Sequence, residues 1–201
     1  MTSLTLPPRH KVFGIGLERT GTTSLTEALR LLGYRALHFP DDDVTRTEIY
    51  DHFKSGRKSI HLSILRHYNA LTDTPVCCIY RALDKAYPGS KFILTVREKQ
   101  AWLQSRSRLV KLQILPQFET LPREHPANVY TRFIGDQLYG PFNYDPDRAY
   151  DFYNAKASQY FRDRPRDFLT LDICAGEGWS KLAPFLGCPV PAVPFPWENA
   201  M

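Results

Sequence analysis

The chain is poor in the features that build several common protein classes. Its four cysteines, Cys77, Cys78, Cys174 and Cys188, form no CxxC pair and stand at no zinc-finger spacing from a histidine. That excludes a spacing-defined zinc site and a secreted disulfide framework. No apolar run approaches the roughly 20 residues of a membrane-spanning helix, and Met1 to Lys11 holds two prolines and no apolar stretch of leader length. The expectation is a cytoplasmic protein with reduced thiols and no membrane span. Internal repeats and low-complexity tracts are missing as well. Excess charge is small: 26 basic against 21 acidic residues give +5, which suits a polyanionic ligand without separating a nucleotide from nucleic acid. With 201 residues, 43% of them hydrophobic, the chain fills one core and is read as one domain.

What is present alternates between strand and helix patterns. Lys11 to Gly16 is a short apolar run of the buried parallel type, followed by a turn rich in Gly and Thr. Leu25, Ala28, Leu29 and Leu32 then repeat at helical spacing, with Gly33 as the stop. Tyr34 to Phe39, Tyr68 to Thr72, Lys91 to Val96 and Phe168 to Ile173 read as further strands. Helices are expected over most of the stretch between the acidic turn, Asp41 to Asp43, and His67, after Thr74-Pro75, from Lys99 to Lys111, from Asp147 to Arg162 and from Trp179 to Leu186. At Thr74-Pro75 a Thr cap and a first-position Pro are the expected start. The stretch 116–146, with Pro116, Pro122, Pro126, Pro141 and Pro146, reads as an irregular lid or acceptor-binding segment. This alternation predicts an α/β fold, a mainly parallel central sheet flanked by helices on both faces, with ligands at the carboxyl ends of the strands.

The first turn carries the chemistry. Gly16 to Thr23 reads GLERTGTT, which fits the frame GxxxxGK[ST] except that Thr22 stands at the Lys position. In a nucleotide hydrolase that Lys bridges the terminal phosphates and the next Ser/Thr binds magnesium. Here the backbone cradle remains, because amides at a helix start still face an anion, while Arg19 supplies the charge. The strand Lys91 to Val96 ends in Arg97 where a magnesium-binding carboxylate would be needed. A second cation beside a phosphate cradle describes a site for a nucleotide with an extra phosphate.

GLERTGTTSL resembles the 5′-phosphosulfate loop of sulfotransferases that use 3′-phosphoadenosine 5′-phosphosulfate (PAPS), and KFILTVREKQAWLQS resembles their 3′-phosphate motif. In the second motif Arg97 and Ser105 are separated as in the family, and Ser105 shares a helix face with Trp102 and Leu109. The similarity extends through TDTPVCCIYRALDKAYPGSKFILTVRE and LTLDICAGEGWSKLAPFLGCPVPAVPFPWEN to a broad sulfotransferase group common in bacteria.

The resemblance implies a P-loop sulfotransferase that moves the PAPS sulfuryl group to a small-molecule, carbohydrate or lipid hydroxyl by direct in-line transfer, without a metal and without a nucleic-acid partner. It assigns nucleotide binding to Arg19, Thr20, Gly21, Thr22, Thr23, Ser24, Arg97 and Ser105, and catalysis to Arg19 and Asp73. Asp73 is the candidate general base, with His38 as its alternative. A tyrosine, Tyr153, stands where family members carry a histidine. Two other readings fit the same residues: a small-molecule or nucleoside kinase of the P-loop fold, and a non-catalytic nucleotide-binding module.

Overall fold

The computed structural model describes residues 10–198; most of the amino-terminal stretch read above for a leader lies outside them. Five strands, β1 (Val12–Gly14), β2 (Ala36–His38), β3 (Ala70–Thr72), β4 (Lys91–Thr95) and β5 (Phe168–Leu171), form one sheet in the order β2-β3-β1-β4-β5. Every pairing is parallel. The carboxyl ends of the strands therefore lie along one edge, with β1 in the middle.

Eight α-helices connect and cover the strands: α1 (Thr22–Leu31), α2 (Asp43–Ser55), α3 (Val76–Ala86), α4 (Lys99–Leu109), α5 (Leu115–Thr120), α6 (Pro126–Leu138), α7 (Pro146–Tyr160) and α8 (Trp179–Leu186). Strand residues alternate between two apolar layers. Val12, Ala70 and Ile93 point to Leu25 and Leu29 of α1 and Leu182 and Leu186 of α8. Phe13, Leu71 and Phe92 point to Ile79 and Leu83 of α3 and Ala157 of α7. Burying a Leu or Phe of this kind contributes about 1.5–3 kcal/mol relative to leaving it exposed, so the two-faced burial predicted from the alternation is what holds the sheet between helices. No described helix is long and apolar enough to cross a membrane, and all four cysteines are free thiols.

Three local expectations change. Helix α2 stops at Ser55, where Gly56 takes a left-handed conformation (φ 62°), and 57–62 is not helical. Helix α3 begins at Val76, after Pro75, and no side chain caps it. Its turn is closed by the backbone instead, Val76 N–H donating to the Asp73 carbonyl at 2.8 Å. The segment 116–146 is largely helical. Two of its prolines start helices, Pro126 opening α6 and Pro146 opening α7, while Pro116 lies just beyond the π turn that joins α4 to α5. A proline at the first helical position loses no hydrogen bond, and counting prolines as breakers concealed this.

Candidate active site

The loop between β1 and α1 is pressed against the end of β4. A Cβ on Gly16 would stand 1.9 Å from Thr95 Oγ1 and 2.6 Å from the Thr95 carbonyl, so only glycine allows this approach. Thr20 is buried beneath the loop, its Oγ1 2.6 Å from both the Leu17 carbonyl and Thr95 Oγ1. Its hydroxyl is thus spent on shaping the loop. Arg19 (φ 67°) and Gly21 (φ 93°) are both left-handed. Glycine adopts that region freely, whereas a non-glycine residue held there costs roughly 1–3 kcal/mol and needs support from its surroundings.

The support comes from Glu18. Trp102 Nε1 donates to its carbonyl at 2.8 Å, while Arg106 Nε at 3.1 Å and the Tyr139 hydroxyl bind its Oε1. Burial, reinforced by the Glu18 charge, pushes the Tyr139 hydroxyl well above the usual tyrosine range, so it remains a donor. Sequence reading missed this set. Trp102 and Arg106, four apart on α4, were the available signal, since residues at that spacing share a helix face.

On the β4 side the predicted nucleotide residues come together. Arg19 Nε donates to Ser105 Oγ at 2.9 Å, and Arg97 Nη1 donates to the Arg19 carbonyl at 3.3 Å. Tyr150 fixes the Arg97 backbone on both sides, accepting from its N–H at 3.1 Å and donating to its carbonyl. Two guanidinium groups and a hydroxyl therefore flank the start of α1. The amides of the first helical turn have no intrahelical acceptor by construction, and with the helix dipole they favour an anion at this end.

On the opposite side β2 and β3 deliver His38 and Asp73. His38 Nε2 lies 2.9 Å from Asp73 Oδ2, 3.2 Å from Thr22 Oγ1 and 3.4 Å from Thr23 Oγ1. The two residues weighed as alternative bases are therefore one hydrogen-bonded pair. The Asp73 side chain is 10% exposed and that of His38 31%, so the imidazole is the member that reaches solvent. Asp73 is left-handed (φ 71°), held by its N–H to the Gly14 carbonyl at 3.2 Å and by its carbonyl accepting from Val76. Its carboxylate does not cap α3.

Two sequence-predicted positions behave differently. Ser24 is 3% exposed, and its Oγ accepts the Glu198 N–H at 2.9 Å, so it binds the carboxyl-terminal strap. Tyr153 donates to the Ile15 carbonyl and lies 3.2 Å from the Cys77 carbonyl. Burial pushes its hydroxyl well above the usual range, and it locks the end of β1 to the start of α3. Among the described residues no three His, Cys, Asp or Glu side chains are placed to hold a metal ion.

A match to the sulfotransferase domain family runs over residues 11–201. The chain is similar to Ava biosynthesis cluster protein M of Aspergillus versicolor, 28% identical over 211 residues that span 92% of this chain and 79% of that protein. Its fold is similar to the crystal structure of a sulfotransferase from Alicyclobacillus acidocaldarius, with a TM-score of 0.50 and 18% identity over 92% of this chain and 84% of that one. Since the family match takes in the β1–α1 loop, the His38–Asp73 pair and the Arg97–Ser105 cluster alike, the chain belongs to the sulfotransferase domain family.

Proposed function

We propose that the protein is a PAPS-dependent sulfotransferase acting on a hydroxyl acceptor, with the nucleotide's 5′ end at the start of α1, its 3′-phosphate beside Arg97 and Ser105, and the acceptor on the side of His38 and Asp73. The observation that carries this reading is the division of labour around one helix start: cations and a hydroxyl on the β4 side, a histidine–carboxylate pair on the β3 side.

PAPS supplies an activated sulfuryl group, whose sulfur–oxygen bond to phosphate breaks as the bond to the acceptor oxygen forms. The chain's own residues do the rest. First-turn amides and Arg19 face the charge that grows on the leaving phosphate oxygens, where fixed donors need no reorganisation. Asp73, paired with His38, takes the acceptor's proton; the hydrogen bond between them keeps the carboxylate oriented and lets the imidazole share the proton. Thr22 and Thr23 tie that pair to the cradle, which fixes the distance between donor and acceptor sites. Residues 116–146 serve as the acceptor-side lid of a single cytoplasmic catalytic unit.

The kinase alternative requires a loop Lys, and the chain has Thr22 at that place; the carboxylate that ends β3, Asp73, is engaged with His38. The test is twofold. Incubation with sulfur-labelled PAPS and an acceptor panel is expected to label a hydroxyl compound. Calorimetry is expected to show PAPS and its desulfated product binding equally well with and without a chelator. Binding that collapses on magnesium removal, or equal affinity for the analogue lacking the 3′-phosphate, overturns the reading.

A further inference from the structure

Four buried side-chain atoms among the described residues have no hydrogen-bond partner: Glu18 Oε2, Arg46 Nε, His52 Nδ1 and Tyr130 Oη. Buried polar atoms are satisfied in the great majority of cases, so each exception calls for a reason. Two of the four are neighbours. The Arg46 guanidinium lies 5.5 Å from the centre of the Tyr130 ring, yet the two groups do not bond each other. Tyr130, on α6, is 5% exposed, and burial pushes its hydroxyl well above the usual range, with Cys78, Arg46, Asp41 and Cys77 as its electrostatic neighbours. Arg46 pairs with Asp41 at 3.1 Å, and α6 packs against α3. Asp41 is three residues beyond His38 on the β2–α2 loop, and Cys77 is four beyond Asp73 at the start of α3. Tyr130 and Arg46 thus lie on α6 and α2, which border the elements that carry His38 and Asp73.

From these placements we infer that Tyr130 and Arg46 form a recognition subsite for the acceptor, in which the Tyr130 O–H and the Arg46 Nε–H donate together to a neutral carbonyl oxygen of the molecule being sulfated. The inference rests on the sulfotransferase reading. Local charge chooses carbonyl over carboxylate. The remaining amino groups of Arg46 are already paired with Asp41 at 3.1 Å and Asp43 at 3.3 Å. Asp42, held ionised by its hydrogen bonds to Thr45 against the opposing pull of burial, adds a third negative charge. One cation among three carboxylates repels a fourth anion and accepts a neutral oxygen. Phe39, 41% exposed beside His38 and left-handed at φ 49°, offers an apolar wall for an aromatic body.

Both orphan atoms are out of solvent's reach, so the acceptor comes between them only as α6 lifts. The chain allows for this. Helix α4 passes into α5 through a π turn, Val110–Ile114, none of whose residues is buried, and such turns are common at functional sites. Asn128, fully buried, ties α6 to Gln117 of α5 and to the Leu121 and Pro122 carbonyls, so the two helices move together.

The test uses three probes, 4-hydroxyacetophenone, 4-ethylphenol and 4-hydroxybenzoate, titrated into the full-length protein saturated with 3′-phosphoadenosine 5′-phosphate. The wild type is expected to bind the ketone about tenfold more tightly than the ethylphenol, with no such gain for the benzoate. Tyr130→Phe should erase that gap, leave affinity for the ethylphenol and the nucleotide unchanged, and raise the melting temperature by about 2–4 °C, because an unpaired buried hydroxyl has gone. Equal binding of ketone and ethylphenol by the wild type, no binding of any probe, a gap that survives in Tyr130→Phe, or a lowered melting temperature in that variant overturns the inference. If the nucleotide itself does not bind, the sulfotransferase reading fails separately; the same ketone-to-ethylphenol gap, measured without nucleotide, then decides the subsite.

Discussion

The two sides of the β1–α1 loop are built differently. On the β4 side, Arg19, Ser105 and Arg97 bind one another and the loop backbone, and Tyr150 clamps Arg97 from α7. On the β2–β3 side, His38 and Asp73 hold each other, with Phe39 and Asp73 itself left-handed, and Arg46 and Tyr130 on α2 and α6 each keep a polar atom unpaired. A donor nucleotide is one fixed molecule, and a pocket braced by hydrogen bonds suits it, even with one left-handed non-glycine residue, Arg19, and one orphaned oxygen, Glu18 Oε2, built into its loop. An acceptor, on the proposed reading, must be held and also deprotonated, and there the strain falls on Asp73, the proposed base itself.

The sharpest way to break this comparison is to disable the β3 side alone. Asp73→Asn keeps the size of the side chain and a contact to His38 but removes the carboxylate. Turnover is expected to fall by about 10² to 10⁴, with nucleotide affinity and melting temperature nearly unchanged. His38→Gln should fall by a similar factor, and the double variant little further, because groups acting as a unit are not additive. Additive losses in the steady-state rates would mean that the 2.9 Å pair is not the proton acceptor.

The mirror experiment is Arg97→Ala. It is expected to weaken binding of the desulfated nucleotide by about 1.5–3 kcal/mol, the range for a hydrogen bond to a charged group. The loss should disappear for the analogue without the 3′-phosphate. A calorimetric loss that is equal for both ligands would place the 3′-phosphate elsewhere and dissolve the distinction between the two sides.

The same contrast explains what could be read from the sequence. The turn between β1 and α1 was legible because Gly16 to Ser24 is one contiguous stretch between a strand pattern and a helix pattern. Arg97 and Ser105 followed because they lie on one strand end and the next helix. His38 and Asp73 were each visible as candidates, yet their pairing was not, since two residues 35 positions apart carry no local sign that β2 and β3 are neighbours in the sheet. Glu18 was passed over because its role depends on Trp102, Arg106 and Tyr139, all brought to it by the fold. Within 116–146, Pro126 and Pro146, which looked like breakers, open helices, and their sequence position was compatible with both roles.

Tyr153 joins the two sides from beneath, its hydroxyl bound to the Ile15 carbonyl and near that of Cys77. Tyr153→Phe leaves a buried carbonyl without its donor, and a cost of about 1–3 kcal/mol in stability is expected. Turnover per folded molecule should change little with any acceptor. A denaturation curve that matches the wild type, together with an altered acceptor preference, would instead make Tyr153 an acceptor contact.

The smallest expected effect tests where the donor side ends. Ser24 belongs to the cradle by sequence, but its hydroxyl accepts the Glu198 N–H at 2.9 Å. The strap that delivers Glu198 is pinned along its length: Trp179 Nε1 donates to the Val193 carbonyl at 2.8 Å, and the Phe195 ring packs edge-on against Trp179 at 4.8 Å. Gly178 is part of the same joint, since a Cβ there would stand 2.8 Å from the Phe195 ring. If Ser24 serves the strap, Ser24→Ala removes one hydrogen bond between the strap and α1, worth about 0.5–1.5 kcal/mol. Its backbone amide stays in the first turn, so nucleotide affinity should remain within about twofold. The visible change should be faster proteolytic trimming of residues beyond Val193, because only the last anchor of the strap has been cut. If Ser24 binds the nucleotide, the pattern reverses: affinity falls by the value of a charge-assisted hydrogen bond, about 1.5–3 kcal/mol, while trimming is unchanged. The two outcomes differ in both measurements, so one variant decides whether the donor pocket stops at Thr23 or extends one residue further into α1.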